Sequence, residues 1–210
     1  LEDLDPDRCR PEFCDQVMRD LEWLGLDWDG QPIYQSRRTE AYAAAFRALE
    51  DQGLVYPCYC TRAQRLAASA PHASDGARVY NGHCRSLSAQ EKTALLESGR
   101  RPAWRLKVPA EVISFVDGNF GPQQQKLETE CGDFILRRSD GLFGYQLAVV
   151  VDDALSGVSE IVRGHDILSS TPRQRYLQRL LGFETPAYAH IPLLEDAQGR
   201  RLAKRDGDTD

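Results

Sequence analysis

The hydrophobic positions in the first part of the chain repeat with the period of an α-helix. In residues 10–25 they fall on one face of a helix, and residues 37–53 show the same pattern. Gly25 and Gly53 follow these two runs, and glycine is the residue that most often ends a helix. The pattern therefore predicts two amphipathic helices.

The period shortens further along the chain. AWRLKV at 103–108, VISFVD at 112–117 and DFILRR at 133–138 alternate in a way that is typical of β-strands. The run FGYQLAVVVDD at 143–153 is apolar almost throughout. Such a run is typical of a strand that is covered on both faces. We therefore predict three strands and one buried central strand.

A further helix is predicted at residues 171–182. Thr171 is in place to cap its beginning, Gln174 would complete a capping box, and Gly182 would end it. A buried strand next to helices with clearly marked starts favours an α/β fold built on a parallel sheet.

Composition narrows the class of protein. The 210 residues suit one large domain, or one domain with an insertion, and the apolar fraction of 41% is ordinary for a soluble protein. No apolar run is long enough to cross a bilayer. Six irregularly spaced cysteines do not resemble a secreted disulfide framework, which predicts a cytoplasmic setting. The net charge of −6 disfavours a general nucleic-acid coat protein, although a local basic patch still permits a specific RNA partner.

The cysteine pair in YPCYCTR is the strongest chemical signal. A disulfide between Cys58 and Cys60 would be strained, because it would close a very small ring. Two thiolates that bind one metal ion are the better interpretation, and Cys84 supplies a third thiol. The candidates for a fourth zinc ligand are His83, His72 and Tyr80. The alternative is that the three cysteines are unrelated buried residues.

Several stretches together resemble the glutamyl branch of the class I aminoacyl-tRNA synthetases. They are LEDLDPDR (1–8), LGLDWDG (24–30), YPCYCTR (56–62), YNGHCR (80–85), GYQLAVVVDDALSGVSEIVRGHDILSSTPRQ (144–174) and HIPLLEDAQGRRLAKR (190–205). The resemblance implies an α/β fold with a Rossmann-like parallel-sheet core. Residues 1–56 and 132–210 would form this catalytic core, and residues 57–131 a zinc-binding and connecting insertion.

The resemblance also implies a reaction. DGLFG before the tyrosine of the long run and SEIVRGHDIL after it are similar to the truncated members that glutamylate queuosine. Such a protein, expected to be a monomer, would use ATP and Mg²⁺ to convert glutamate to glutamyl-adenylate. It would then transfer the glutamyl group to queuosine in the anticodon of tRNA(Asp). Two alternatives remain: a fragment of an ordinary enzyme that charges tRNA(Glu), and a non-catalytic, zinc-stabilised RNA-binding module.

Family roles carry over onto matching positions. Glu2 would bind the amino group of glutamate through charge-assisted hydrogen bonds. Tyr145, expected on the buried strand, would also bind glutamate, and the fork of Arg163 would hold a substrate carboxylate. RRLAKR at 200–205 resembles the mobile signature loop of the family. Its Lys204 would bind ATP and stabilise the charge that develops on the phosphates during catalysis.

The same resemblance selects a metal-ligand set. It implies that Cys58, Cys60, Tyr80 and Cys84 bind a structural Zn²⁺, because a closed four-ligand site leaves no position for chemistry. The first strand of the family and its H-I-G-H-type motif do not occur in this sequence, and we expect them to precede Leu1.

Overall fold

The computed structural model describes residues 1–6, 9–61, 79–196, 198 and 202. The described helices are α1 (Pro11–Trp23), α2 (Thr39–Asp51), α3 (Ala89–Glu97), α4 (Leu127–Glu130), α5 (Tyr145–Leu155) and α6 (Thr171–Leu181). The strands are β1 (Val55–Cys58), β2 (Ala103–Leu106), β3 (Val112–Asp117), β4 (Gly121–Lys126), β5 (Phe134–Arg137), β6 (Glu160–Gly164) and β7 (Ala187–Ile191). Short 3-10 helices cover Gln35–Arg37, His83–Ser86 and His165–Ser170. None of the helices in the described ranges has the length and apolar character that a membrane span requires.

The strands form two sheets. One contains β1, β2 and β5 in that order, and all its pairs are antiparallel. The other has the order β4-β3-β7-β6, and in it β7 runs parallel to both β3 and β6. The predicted α/β fold with a parallel sheet is therefore confirmed. Strands β3 and β4 fall within the segment assigned to the insertion but pair with β7 and β3, and the division at residues 57–131 stays a prediction.

The main core lies where α2, α5 and α6 pack together. Tyr42 and Leu49 of α2, Leu147 of α5 and Leu177 of α6 are fully buried there. The hydroxyl of Tyr42 donates a 2.8 Å hydrogen bond to Asp152 at the end of α5. The predicted buried face of α2 is thus confirmed, and it fixes the position of α5.

The prediction of a strand at residues 143–153 is wrong, because this segment forms helix α5. Its buried side chains follow helical spacing: Leu147, Ala148, Val150 and Val151. Helices α2 and α6 cover α5, so most of its positions are apolar because they are buried. The contrast between an apolar and a polar face, which would indicate a helix, is therefore lost. At 11 residues the run is also longer than most strands, and this length is a sequence signal that favours a helix.

The predicted capping box at the beginning of α6 is also wrong. Ser170 occupies the N-cap, and Thr171 is already helical. The hydroxyl of Thr171 instead accepts a hydrogen bond from Arg163 at 2.7 Å, and the amide of Gln174 donates to Gln146 at 3.0 Å. Contacts with neighbouring elements have replaced the local cap.

Helix α1 is present as predicted, and Gly25 follows it with a positive φ of 74°. Its apolar face, however, is exposed: 57% of Phe13, 46% of Val17 and 61% of Leu24 remain accessible. Periodicity predicted the helix, but it does not report what covers the apolar face.

Candidate amino-acid site and candidate metal centre

The three predicted glutamate ligands come from separate parts of the chain. Glu2 precedes α1, Tyr145 is the first residue of α5, and Arg163 lies in β6. The structure nevertheless brings them together. The positive charge of Arg163 is close enough to lower the pKa of both Glu2 and Tyr145. The negative charge of Glu2 in turn raises the pKa of the Tyr145 hydroxyl. Tyr145 therefore contributes from the first turn of a helix and not from a strand.

Arg163 is held in one direction by its neighbours. Its Nε donates a 3.0 Å hydrogen bond to Nε2 of His190, and a terminal nitrogen donates to Oγ1 of Thr171. Its guanidinium carbon also lies 5.2 Å from the ring centroid of Tyr188. These contacts fix two edges and one face of the guanidinium. A guanidinium that binds a carboxylate must be held in one orientation in this way.

A buried hydrogen-bond partner, Asp117, lies behind His190. Nδ1 of His190 is 2.6 Å from Oδ2 of Asp117, and both side chains are 0% exposed. The other carboxylate oxygen of Asp117 accepts backbone N–H groups of His190, Asn119 and Phe120 at 3.0–3.1 Å. Burial works against the Asp117 carboxylate, but these hydrogen bonds outweigh it and lower the pKa of Asp117 to about 2. The sequence interpretation did not identify either residue.

Two acidic groups near Arg163, Asp153 and Glu2, have raised pKa values. Burial raises the pKa of Asp153 to about 6, and the charges of Asp152 and Glu2 add to this while Arg163 opposes it. Burial of part of the carboxyl group also raises the pKa of Glu2, although the residue as a whole is exposed. Carboxyl groups next to one arginine provide complementary charges for both an ammonium and a carboxylate. This combination suits a free amino acid.

Tyr145 stays a neutral phenol in this environment. Burial is the main cause that raises its pKa, the charge of Glu2 adds to it, and a hydrogen bond with Gln174 opposes it. A neutral phenol can both donate and accept a hydrogen bond. Tyr145 can therefore bind either polar end of a ligand.

The candidate metal ligands also converge. Cys58 ends β1, Cys60 follows it, and Cys84 lies in the 3-10 helix His83–Ser86. Their three sulfurs lie within 4.8 Å of one another. The hydroxyl of Tyr80 is 3.5 Å from Sγ of Cys58 and 3.6 Å from Sγ of Cys60.

These spacings fit a tetrahedral ion. Zinc–sulfur bonds of about 2.3 Å place two ligand sulfurs about 3.8 Å apart. Sγ of Cys60 and Sγ of Cys84 are 3.4 Å apart. Of the alternative ligands, His83 is exposed and lies outside this cluster, and His72 lies outside the described residues. Tyr80 is the alternative that the structure places beside the sulfurs.

Two members of the cluster, Cys60 and Tyr80, disfavour negative charge when no cation is bound. Burial raises the pKa of Cys60 to about 12 and also raises the pKa of Tyr80. Burial opposes ionisation of Cys58 as well, but hydrogen bonds from Tyr80 and Arg105 outweigh it and lower the pKa of this thiol. The guanidinium of Arg105 lies 3.8 Å above the ring of Tyr80. A bound divalent cation would reverse the upward shifts, because it stabilises thiolate and phenolate.

Two neighbouring residues support the cluster. Gly132 has a φ of 69°, and a Cβ there would lie 2.4 Å from the carbonyl oxygen of Tyr80, so only glycine fits. The next residue, Asp133, is buried and accepts hydrogen bonds from Tyr56 at 2.6 Å and from Nε of Arg85 at 3.0 Å. Arg85 belongs to the 3-10 helix of the third cysteine, so Asp133 anchors that helix to the sheet.

The predicted ATP ligand Lys204 lies outside the described residues. Within the same loop the structure describes Leu202, whose backbone N–H donates to the carbonyl oxygen of Leu194 at 3.0 Å. The role of Lys204 therefore stays a prediction.

Comparison with known proteins gives a consistent result. Residues 1–210 match the family described as tRNA synthetases class I (E and Q), catalytic domain. The chain is 54% identical to the glutamyl-Q tRNA(Asp) synthetase of Nitratidesulfovibrio vulgaris, over 98% of this chain and 66% of that protein. It is 50% identical to the enzyme of the same name from Neisseria meningitidis serogroup C, over 98% of this chain and 68% of that protein. The chain thus spans about two thirds of the length of the curated relatives.

Solved structures agree with the sequence matches. A glutamate tRNA ligase from Elizabethkingia meningosepticum, in complex with its amino acid, is similar with a TM-score of 0.80 and 27% identity. The match covers 99% of this chain and 45% of that one. The fold, the sequence matches and the converging side chains therefore agree: the chain belongs to the catalytic-domain family of the class I glutamyl and glutaminyl tRNA synthetases, in the group of the glutamyl-Q tRNA(Asp) synthetases.

Proposed function

We propose that the protein activates glutamate with ATP and transfers it to queuosine in the anticodon of tRNA(Asp). One observation carries the proposal: Glu2, Tyr145 and Arg163 share one electrostatic environment although they come from distant parts of the chain. The opposite charges of Glu2 and Arg163 complement the two charged ends of a free amino acid. The curated relatives that bear this function in their names are 48–54% identical to the chain, which supports tRNA(Asp) as the acceptor.

In the first step, a carboxylate oxygen of glutamate attacks the α-phosphorus of ATP. The bond between the α-phosphorus and the oxygen that bridges it to the β-phosphorus breaks. The products are glutamyl-adenylate and pyrophosphate. Arg163 would hold a carboxylate of glutamate and Glu2 its ammonium, so that the reacting oxygen keeps one direction. Lys204 and Mg²⁺ would stabilise the charge on the phosphates.

In the second step, a hydroxyl oxygen of the cyclopentene ring of queuosine attacks the activated carbonyl carbon. The bond to the phosphate oxygen breaks, AMP leaves, and the hydroxyl proton passes to solvent or to the leaving phosphate. No side chain forms a covalent intermediate in this scheme. Catalysis would come from positioning and charge stabilisation.

We further propose a structural Zn²⁺ bound by Cys58, Cys60, Tyr80 and Cys84. When it is bound, it would join the end of β1 to the 3-10 helix His83–Ser86. The spacing of the donor atoms supports this assignment. It would belong to the zinc-binding and connecting insertion at residues 57–131 of a cytoplasmic, monomeric enzyme.

The test uses the intact protein in two assays. Glutamate-dependent exchange of pyrophosphate into ATP measures activation, and transfer of labelled glutamate measures the acceptor. We expect transfer to tRNA(Asp) that carries queuosine and none to tRNA(Asp) that lacks it. Transfer only to the 3′ end of tRNA(Glu) would assign the protein to the ordinary tRNA-charging enzymes. Absence of both exchange and transfer would support a non-catalytic RNA-binding module.

A further inference from the structure

We propose that Asp117 and His190 are positioning residues that fix the direction of Arg163 by selecting one tautomer of the histidine. The inference rests on the proposed function, because Arg163 is the proposed ligand of a glutamate carboxylate. The three side chains stand on adjacent strands: Asp117 ends β3, His190 lies in β7, and Arg163 lies in β6. Register places Arg163 directly opposite His190 in the parallel pair.

The hydrogen bonds determine which nitrogen of His190 carries the proton. Nε of Arg163 has one hydrogen and cannot accept, so Nε2 of His190, 3.0 Å away, must be the acceptor. The proton of the ring is therefore on Nδ1, and it is donated to Oδ2 of Asp117 at 2.6 Å. Asp117 thus selects the tautomer that Arg163 needs.

Burial makes this selection strict. His190 and the side chain of Asp117 are fully buried, so water cannot replace a lost partner. The hydroxyl of Thr171 lies 3.5 Å from Nε2 of His190 and accepts from Arg163. A proton on Nε2 would point at the N–H of Arg163 and would push the guanidinium out of its present direction.

The variant Asp117→Asn is expected to change the tautomer of His190 while it keeps the hydrogen bonds that support the fold. Its carbonyl oxygen would keep the position of Oδ1, because three backbone N–H groups donate there. Its amide nitrogen would then face Nδ1 of His190 and would donate to it. The ring proton must move to Nε2, where it opposes the N–H of Arg163. The turn after β3 keeps its hydrogen bonds, and the arginine loses its acceptor.

A second variant changes the ring and keeps an acceptor. In His190→Gln, the side-chain oxygen can accept from Arg163, and the side-chain nitrogen can donate to Asp117. No tautomer exists in glutamine, so this variant tests the acceptor alone. We expect it to bind glutamate within about threefold of the wild type, since the hydrogen-bond polarity is retained.

The experiment measures the tautomer and the affinity of the intact protein. Protein labelled with ¹⁵N in histidine gives long-range proton–nitrogen spectra, and His190→Gln assigns the His190 signals. We expect an unprotonated Nε2 in the wild type and a protonated Nε2 in Asp117→Asn. We also expect Asp117→Asn to raise the KM for glutamate about tenfold or more and to leave the KM for ATP within about twofold. Asp51→Asn, at the exposed end of α2, serves as the control.

The outcomes separate this inference from the proposed function. Absence of glutamate-dependent exchange in the wild type would remove the proposed function, and the nitrogen spectra would still test the tautomer. A protonated Nε2 in the wild type would overturn the inference. So would an Asp117→Asn protein that binds glutamate like the wild type, or one in which the KM for ATP rises as much as that for glutamate. The last result would indicate a general structural role.

Discussion

Sγ of Cys60 and Sγ of Cys84 lie 3.4 Å apart although 24 positions separate them in sequence. Neither sulfur takes part in a disulfide. Burial and neighbouring thiols raise the pKa of Cys60 to about 12, so Cys60 disfavours the thiolate form when no cation is present. A metal ion resolves this conflict, because it binds thiolates and neutralises their charge.

The first prediction therefore concerns metal content. We expect the purified protein to hold about one zinc ion per chain, as a closed four-ligand site does. Removal of the ion by a chelator should lower the thermal midpoint by about 10 °C, since several kcal/mol of stability depend on the bound metal. Elemental analysis and calorimetry before and after chelation measure both effects.

Two cysteine variants sharpen this test. Cys84→Ser should reproduce the loss of zinc and of stability, whereas Cys14→Ser in α1 should keep both. Equal zinc content in the two variants would contradict the assignment of the cluster as a metal site.

The second prediction concerns the fourth ligand. Tyr80→Phe removes the oxygen that lies 3.5 Å from Sγ of Cys58, and we expect zinc affinity to fall about tenfold or more. Competition with a coloured chelator measures the affinity. Tyr59→Phe is the matched control, because Tyr59 is also buried beside the cluster and its hydroxyl donates to none of the three sulfurs described here. An unchanged affinity in Tyr80→Phe would assign the fourth position to another ligand.

The third prediction concerns the glutamate site. Arg163→Lys keeps the charge but loses the planar fork, and Glu2→Gln loses the charge that would pair with an ammonium. Each change removes charge-assisted hydrogen bonds of about 1.5–3 kcal/mol, so we expect glutamate affinity to fall about 10- to 100-fold. The KM for glutamate in pyrophosphate exchange provides the measurement.

Exposed residues of the same type provide the controls for these two variants. Arg179→Lys changes an exposed arginine of α6 that pairs with Glu111 at the surface, and Glu12→Gln changes an exposed acid of α1. Surface pairs contribute little, so both proteins should bind glutamate like the wild type. If the control variants lose as much affinity as Arg163→Lys and Glu2→Gln, the proposed site is wrong.

Much of the fold could be predicted from the sequence because the pattern of apolar positions reports local geometry. Helix α2 and strands β2, β3 and β5 lie where the period placed them. Helix α5 was missed because it is covered by other helices, and a buried segment loses the contrast between its faces. Burial can therefore be predicted from such a run, whereas its period cannot.

The candidate site was predicted unevenly for a related reason. Glu2, Tyr145 and Arg163 could be selected because the order of several motifs resembles a known family. Asp117 and His190 could not, since an aspartate at the end of a strand and a single histidine in a strand are common features. Their contact depends on strands that lie 73 positions apart in the sequence, which no local pattern reports.

The last prediction concerns Asp153 and pH. Burial raises its folded-state pKa from 3.8 to about 6. The folded protein therefore binds this proton more tightly than the unfolded chain, and stability falls as pH rises from about 4 to 6. Above pH 6 the ionised carboxylate costs at most roughly 3 kcal/mol, and solvent screening leaves a cost on the order of 1 kcal/mol.

Asp153→Asn imitates the protonated form and should remove this cost. We expect it to raise the free energy of unfolding by about 1 kcal/mol at pH 7.5 and by almost nothing at pH 3.5, as urea denaturation at the two values would show. Asp27→Asn, an exposed change, should not show this pH-dependent gain. An ammonium group of bound glutamate would relieve the same cost, so glutamate should stabilise the wild type more at pH 7.5 than at pH 5. A stabilisation by glutamate that is the same at both values would place the ammonium away from Asp153.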